Sequence, residues 1–372
     1  MRPELPRRPL LLAALSLGAA ASAARAAGAA VPVGVIANLT GSDVPSSVDM
    51  VRGVKLAAAA LDAKGGVQGR PIKLIVEDSE YRPQAGVDAA TKLFDVNDVG
   101  AAIVFGGSSV TLPIAKLAQQ KDRIILNTSA SAPELGKFPG TIFSTLPLDD
   151  IVGKALGEYA AKKGAKTAAF IVPNNTFGVG LMNAASAAFT AAGGKIVRQI
   201  AYAEGQPDYR ADLQPLQRLK PDAILSAGYG DDTRTVFKAA RELGIEAPWY
   251  VAYPSIFVVA DPAWMNGRLS GLDNGGLDSS VGKRIAAEYV KQFGGTPRPH
   301  YYYGYDAMML LGLAMQQAGP SPDAIRKALP EVVKSYDGAT GHIVWDDRGQ
   351  RIDPPLDYFV YKDGALHKIA AP

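Results

Sequence analysis

AAAALDAKGGVQGRPIKLIVED occupies residues 57–78 and decides the fold class of this 372-residue chain. Its first part completes an apolar helical stripe that starts near residue 46, and Gly65-Gly66 ends that helix. The segment IKLIVED, residues 72–78, then has the pattern of a buried strand. Short apolar strands that alternate with longer amphipathic helices predict an α/β fold, in which helices cover both faces of a mostly parallel sheet.

The same alternation continues along the chain in two runs. Further strands are predicted at residues 101–105, 124–127 and 142–144, and after Pro147 at residues 168–172, 195–202, 223–227 and 249–252. A chain of 372 residues is long enough for two domains that each bury a core. We therefore predict two doubly wound parallel-sheet lobes.

The chain is predicted to cross between these lobes more than once. The Gly-rich residues 273–280 fit a return crossing, and a final crossing is predicted near residues 335–339. The predicted first lobe comprises residues 27–146 and 273–336, and the second comprises residues 147–272 and 337–372. Adjacent crossings make a hinge, and hinge closure is a recognised way for binding proteins to trap ligands.

Small hydroxyl side chains follow two strands of the predicted first lobe. Ser108 and Ser109 come after one strand, and Ser129 and Ser131 after the next. Ligands of such sheets sit at the carboxyl ends of the strands, and the helix predicted to start near Leu112 would favour an anion at its N-terminus. These serines predict a cradle for a carboxylate. The alternatives are a serine that only caps the helix and an ordinary hydroxyl-stabilised turn.

Residues 1–26 have the pattern of a secretory signal peptide. Arginines near the N-terminus precede an apolar run from Leu10, and Ala24-Arg25-Ala26 offers small residues at a cleavage site. The pair Arg7-Arg8 leaves both ordinary secretion and twin-arginine export open. No later apolar stretch is long enough for a membrane span, so we expect a protein exported to the periplasm of a Gram-negative cell.

Charge and composition argue against several other classes. The formal net charge of +3 belongs to the predicted signal peptide, because residues 1–26 carry four arginines and one glutamate, and a neutral remainder argues against nucleic-acid binding. Cysteine is absent, which excludes disulfides, cysteine metal sites and a lipid anchor on cysteine. His300, His342 and His367 lack metal-ligand spacing. We expect no metal and no cofactor.

AAAALDAKGGVQGRPIKLIVEDSEYRPQAGVDAATKL, residues 57–93, resembles a pattern of the periplasmic branched-chain amino-acid-type (leucine/isoleucine/valine-binding-like) solute-binding proteins of ABC importers. The resemblance continues in the family's order through GGSSV, NTSASAPEL, NNTFGVG, PDAILSAGYG and YYGYDAMMLL. It implies the type I periplasmic binding fold and a receptor, not an enzyme, that closes two lobes over a small ligand. The implied partner is a membrane permease, and we expect a monomer.

The resemblance also implies which residues meet the ligand. In the family, the loop that here carries Ser129, Ala130 and Ser131 contacts the ligand's carboxylate and amino groups. Phe177 stands where many relatives have tyrosine, and Tyr229 occupies a position that faces the cleft from the second lobe. The alternative for each aromatic residue is a place in the core or at the rim.

Tyr253 marks a departure from the family. Amino-acid-binding relatives place an acidic residue there, which pairs with the ligand's ammonium group, and Tyr253 with its neighbours supplies no acid. Because a buried ammonium without a partner is costly, this departure favours an aromatic or other hydrophobic acid over a simple branched-chain amino acid. Asp231 and Asp232 are candidates to replace the missing charge, although negative charge at the start of a helix is the favoured role for both.

These motifs bear differently on three functions. A receptor for an importer agrees with all of them, its ligand being a small carboxylate or, alternatively, a branched-chain amino acid or an amide. An enzyme has little support, because Asn38-Leu39-Thr40-Gly41-Ser42 lacks the glycine spacing of a dinucleotide-binding loop and no Walker loop is present. A ligand sensor that signals to a membrane protein stays open, since the same fold serves both roles.

Overall fold

The computed structural model describes residues 28–372, so the predicted signal peptide lies outside the described residues. Within this range no helix combines the length and the apolar character that a membrane crossing needs. The chain forms two α/β lobes, each built on its own sheet with helices on both faces. The predicted fold class, two doubly wound lobes, is confirmed.

The elements follow one another in three stretches of chain. The first stretch holds β1 (Val31–Ala37), α1 (Val44–Asp62), β2 (Ile72–Asp78), α2 (Pro83–Thr91), β3 (Ala101–Val104), α3 (Ser108–Gln120), β4 (Ile124–Asn127) and β5 (Ile142–Ser144). The second holds α4 (Asp149–Lys162), β6 (Thr167–Pro173), α5 (Thr176–Ala191), β7 (Lys195–Tyr202), α6 (Arg210–Leu219), β8 (Ala223–Ser226), α7 (Gly230–Glu242), β9 (Trp249–Ala252), α8 (Pro262–Met265) and β10 (Leu269–Asn274). The third holds α9 (Ser280–Phe293), α10 (Pro299–Ala318), α11 (Pro322–Val333), β11 (Asp337–Gly338), β12 (Gly341–His342), β13 (Val344–Trp345), β14 (Arg351–Ile352), β15 (Leu356–Lys362) and β16 (Ala365–Ile369).

The first lobe has a five-stranded sheet in the order β2-β1-β3-β4-β5, and every pair in it is parallel. Alternate residues of a strand face opposite sides. Val35 therefore packs into the core beneath α1, α10 and α11, whereas its neighbour Ile36 packs into the core beneath α2 and α3. Burial on both faces explains why these strands are continuous apolar runs.

The second lobe has a seven-stranded sheet in the order β16-β15-β10-β9-β8-β6-β7. The strands β6 to β10 pair in parallel, and β15 and β16 add two antiparallel strands at one edge. Phe170 and Ile171 again belong to different cores on the two faces. The carboxyl ends of β6, β8 and β9 carry the loops that meet the first lobe.

Two glycines allow α1 and α10 to pack closely in the first lobe. A Cβ atom at Gly53 would lie 2.0 Å from the carbonyl oxygen of Tyr301, and one at Gly304 would lie 2.4 Å from the carbonyl oxygen of Met50. Real side chains do not tolerate such distances, so only glycine fits here. The close packing fixes the first turn of α10, which reaches the space between the lobes.

The last crossing between the lobes differs from the prediction. Residues 337–352, assigned to the second lobe from sequence, pack on the first lobe instead. Ile343 is buried in the first lobe's core, and Trp345 Nε1 donates to the carbonyl oxygen of Ser144 at 2.7 Å. The guanidinium of Arg351 donates to the carbonyl oxygen of Thr145 at 2.8 Å. The chain therefore enters the second lobe between β14 and β15, about 15 residues later than predicted.

Candidate functional site

A cavity of about 430 Å³ lies between the lobes, at the carboxyl ends of the strands. Small-molecule sites of this fold type occur at such strand ends and have volumes in this range. Seven of the eight residues proposed from sequence line it: Ser108, Ser109, Ser129, Ser131, Phe177, Tyr229 and Tyr253. The eighth, Ala130, lies in the core behind the cavity, where its carbonyl oxygen accepts a hydrogen bond from Asn127.

Ser108 and Ser109 form the first turn of α3 and bring donors to the cavity wall. The helix starts at Ser108, four residues before the predicted start, and its N-cap is Gly107, which has no side chain to cap it. Within residues 28–372 the backbone N–H groups of Ser108 and Ser109 have no acceptor. The Ser108 Oγ accepts from the N–H groups of Ser131 and Ala132 at 3.3 and 3.1 Å. Its own proton is therefore free to donate into the cavity.

Ser129 and Ser131 mainly position the loop after β4. The Ser129 Oγ donates to the carbonyl oxygen of Gly106 and accepts from the Gly106 N–H, both at 2.9 Å. The Ser131 Oγ donates to Asp149 Oδ2 at 2.8 Å. These bonds hold the loop against the start of α3, so the two loops present one continuous surface to the cavity.

Asp149 and Tyr253 link the lobes beside the cavity. The Asp149 N–H donates to the Ser131 carbonyl oxygen at 2.6 Å, and the Tyr253 hydroxyl donates to Asp149 Oδ1 at 2.9 Å. Burial raises the pKa of Asp149 well above its usual value, although the two hydroxyl donors oppose the shift. Tyr253 has a positive φ of 59°, a conformation that needs support from neighbouring contacts. The Tyr253 hydroxyl is thus already hydrogen-bonded to an acid of this chain.

Aromatic rings form much of the remaining wall. Phe177 lies 6.0 Å from both Tyr229 and Tyr253, measured between ring centroids. Tyr229 meets Tyr81 of the first lobe edge-on at 6.5 Å, so aromatic rings of both lobes meet at the cavity wall. On the first-lobe side, Phe105 packs edge-on against His300 at 4.9 Å. Such walls suit a flat or branched apolar group.

Three acidic residues that the sequence reasoning missed also line the cavity: Asp43, Glu204 and Asp273. The Glu204 carboxylate accepts hydrogen bonds from the Tyr229 hydroxyl and, at 2.8 Å, from Asn175 Nδ2. Burial raises the pKa of Asp273 to about 6. Among the cavity-lining side chains of the described residues there is no lysine or arginine. Glu204 and Asp273 lie in or just after strands whose ends meet the cleft, a position that the sequence shows, whereas the direction of each side chain is not visible in it.

Asp231 and Asp232, the proposed substitutes for the missing acid, do not reach the cavity. The Asp231 side chain is 86% exposed and pairs with Arg234, and Asp232 accepts a hydrogen bond from the Tyr209 hydroxyl at 2.7 Å. Both lie in the first turn of α7, where acidic residues favour the helix dipole. Of the two roles that the sequence left open, negative charge at the start of a helix describes both residues, and neither lies where an ammonium anchor would line the cavity.

Comparison with known proteins agrees with this architecture. A family model described as periplasmic binding protein matches residues 30–365. An amino acid binding protein of Pseudomonas aeruginosa is 25% identical over 354 residues, which cover 91% of this chain and 92% of that protein.

Two solved structures share the fold. A leucine binding protein of Thermotoga maritima superposes with a TM-score of 0.81 at 24% identity, covering 91% of this chain and 98% of that one. A solute binding protein of an ABC transporter from R. palustris, solved with benzoate, gives 0.79 at 19% identity over 91% and 95% of the two chains. With a family match that spans nearly all of the described residues and a two-lobed fold around an interlobe cavity, the chain belongs to the periplasmic binding protein family.

Proposed function

We propose that this protein is the periplasmic receptor of an ABC importer and that it closes its lobes over a small carboxylic acid with an apolar body. The observation that carries the proposal is that one cavity contains both uncharged hydrogen-bond donors, at Ser108 and Ser109, and a wall of aromatic side chains. The N-terminus of α3 favours a negative charge. Hydrogen bonds to a carboxylate are charge-assisted and strong.

The acidic residues of the cavity bear on which acids fit. A second carboxylate on the ligand would meet Asp43, Glu204 or Asp273 without a lysine or arginine among the described lining residues to offset it. A monocarboxylic acid whose other end is uncharged avoids that repulsion. The aromatic side chains then provide an apolar contact surface for the rest of the ligand.

A second candidate ligand is an aliphatic amino acid, and Glu204 is the observation that favours it. Its carboxylate lies at the cavity wall and retains acceptor capacity beside the bonds from Tyr229 and Asn175. An ammonium group there would be paired instead of isolated. The amino acid binding relative from Pseudomonas aeruginosa supports this candidate, and the benzoate-bound relative supports the first.

The experiment that separates them is native mass spectrometry of mature protein purified without refolding, followed by a thermal-shift panel. The panel contains benzoate, leucine, isoleucine and leucinamide. If benzoate raises the melting temperature and leucine has little effect, the result supports a site that binds a carboxylate and has no partner for an ammonium group. Selective stabilisation by leucine and isoleucine would replace the proposal by the amino-acid candidate, with Glu204 as the ammonium partner.

The proposal also covers location and partners. Residues 1–26 act as a signal peptide, the mature protein is a periplasmic monomer, and its closed form docks on a membrane permease. Ligand binding favours closure only through contacts made in the closed state. Uptake of labelled ligand by cells that lack the protein tests transport. Normal uptake in those cells would favour the alternative role as a sensor.

The pH dependence of binding gives a prediction that distinguishes the two ligand classes. Asp273 has a pKa of about 6, so raising the pH from 5.0 to 7.5 adds a negative charge to the cavity wall. A simple carboxylic acid stays ionised over most of that range, because such acids have a pKa of about 4. We therefore expect benzoate to bind up to about tenfold more tightly at pH 5 than at pH 7.5, a difference of about 1.4 kcal/mol.

The control for this prediction is Asp273→Asn, which removes the titrating charge. The pH dependence should flatten in this variant when affinities are measured by isothermal titration calorimetry. A ligand ammonium near Asp273 would reverse the sign, because protonation below pH 6 then removes an attraction. An unchanged pH profile in the variant would show that a different buried acid with a raised pKa, Asp43 or Asp149, controls the response.

A further inference from the structure

Three polar atoms of the cavity wall lack hydrogen-bond partners among the described residues: Asn274 Oδ1, His300 Nδ1 and Tyr303 Oη. Each of these residues lines the cavity, and each of these atoms is shielded from bulk solvent. Asn274 is the last residue of β10, whereas His300 and Tyr303 lie in the first two turns of α10. Two separate elements therefore bring unpaired polar atoms to one side of the cavity.

This arrangement is unusual because buried polar atoms in native proteins are nearly always paired. Tyr303 is only 2% exposed, and the close packing of α10 on α1 at Gly304 fixes its backbone. Its hydroxyl therefore cannot turn to bulk water. The Tyr303 and His300 rings are 6.0 Å apart between centroids, and the Asn274 side chain lies beside the Tyr303 hydroxyl without meeting hydrogen-bond geometry. The three groups form a small cluster.

The cluster is uncharged at neutral pH. Burial lowers the pKa of His300 to about 4, and it raises the pKa of Tyr303 above its usual value. The Asn274 oxygen only accepts, the Tyr303 hydroxyl both donates and accepts, and a neutral histidine nitrogen does one or the other. A ligand group that donates one hydrogen bond and accepts others could therefore pair with all three of these atoms. A hydroxyl does so, whereas a methyl group would leave all three unpaired.

We propose that Asn274, His300 and Tyr303 form a second polar subsite, which binds a hydroxyl group on the ligand away from its carboxylate. The ligand class is then a hydroxylated carboxylic acid. This inference rests on the proposed function for the carboxylate end, because Ser108 and Ser109 anchor the acid while the subsite selects its substituent. The adjacent Asp273 carboxylate also lines the cavity and disfavours a second acidic group at this place.

The test compares matched pairs of ligands that differ by one hydroxyl group. Benzoate, 3-hydroxybenzoate and 4-hydroxybenzoate form one series, and phenylalanine and tyrosine form the other, all measured by isothermal titration calorimetry on the mature protein at pH 7. We expect at least one hydroxybenzoate to bind about tenfold or more tightly than benzoate, since sites built to pair a hydroxyl discriminate strongly against its absence.

For each variant, the quantity measured is the affinity for the hydroxylated ligand divided by the affinity for its partner without the hydroxyl group. Tyr303→Phe and His300→Phe should each reduce the ratio to below about threefold, because each removes one partner of the hydroxyl while keeping a ring in place. Tyr302→Phe is the matched control: Tyr302 is the adjacent tyrosine in α10, does not line the cavity, and should leave the ratio unchanged. Two independent variants keep the test valid if one of them does not fold.

The outcomes separate this inference from the proposed function. Equal affinities of benzoate and both hydroxybenzoates would overturn the subsite and leave the carboxylate receptor standing. Binding of only phenylalanine or tyrosine would overturn the proposal of a simple carboxylic acid. In that case a preference for tyrosine over phenylalanine that Tyr303→Phe lowers would support the subsite. Equal affinities of tyrosine and phenylalanine would overturn the subsite. Absence of binding by all five probes would overturn both.

Discussion

Ser108→Asp is expected to abolish binding of a carboxylate ligand while the protein stays folded. The substitution places a negative charge where the ligand's carboxylate is proposed to bind. Two like charges about 4 Å apart repel by about 4 kcal/mol at an effective dielectric constant of about 20, which corresponds to roughly a thousandfold loss of affinity. Benzoate, or the acid that the thermal-shift panel selects, is the ligand to use.

The fold should tolerate this charge for two reasons. The Ser108 Oγ now accepts from the N–H groups of Ser131 and Ala132, and an aspartate oxygen can accept from the same donors. The residue also lies in the first turn of α3, where a carboxylate is stabilised by the helix dipole. The melting temperature in the absence of ligand should therefore stay close to that of the unmodified protein.

Ser108→Asn is the matched control, because asparagine has the size of aspartate without its charge. We expect this variant to lose less than about tenfold in affinity, since one neutral hydrogen bond contributes about 1 kcal/mol. Isothermal titration calorimetry on both variants measures the difference, and circular dichroism checks the fold. Equal affinities of the aspartate and asparagine variants would place the ligand's carboxylate somewhere other than the start of α3.

The serine cradle illustrates what strand-end patterns can predict. Ser108, Ser109 and Ser131 reach the cavity because parallel strands deliver their following residues to one edge of the sheet, and short apolar strands are visible in a sequence. The predicted start of α3, near Leu112, lies four residues after the observed one. The structure has Pro113 inside the helix, where it forgoes one backbone hydrogen bond.

The acidic residues of the cavity show where the sequence was insufficient. Glu204 reaches the cavity through a loop whose path depends on contacts with Tyr229 and Asn175. Asp231 directly follows Gly230, whose φ of +61° turns the chain into α7 and away from the cleft. Proximity in sequence to Tyr229 therefore did not mean proximity in space. Side-chain direction at a strand end is set by the turn that follows, which periodicity does not reveal.

The placement of residues 337–352 was wrong for a related reason. The short strands β11 to β14 have little apolar periodicity, and their position depends on two buried charged residues, Asp306 in α10 and Arg351 in β14. Arg351 is 2% exposed and donates to carbonyl oxygens of Thr145, Thr340 and His342. Such long-range polar contacts leave no local pattern.

Asp306→Ala should cause the largest loss of stability, because Asp306 holds this segment on the first lobe. The carboxylate is fully buried and accepts from the Tyr336 hydroxyl, the Ala339 N–H, and both the N–H and the hydroxyl of Thr340, at 2.7 to 2.9 Å. Burial raises the pKa of Asp306 despite these four donors, so the charge itself carries a desolvation cost. Its removal is nevertheless unfavourable, since four buried donors lose their acceptor.

We expect Asp306→Ala to lower the free energy of unfolding by about 4 kcal/mol, because each unpaired buried group costs about 1–3 kcal/mol and the effects are not additive. Urea denaturation measures the loss, and hydrogen-exchange mass spectrometry should show reduced protection in residues 336–352 before the rest of the first lobe. Asp323→Ala is the control, because that carboxylate is 64% exposed and pairs with Lys327 on the surface, a contact expected to contribute less than about 1 kcal/mol. Similar losses in the two variants would mean that the packing of Ile343 and Trp345, and not the Asp306 hydrogen bonds, holds the segment on the first lobe.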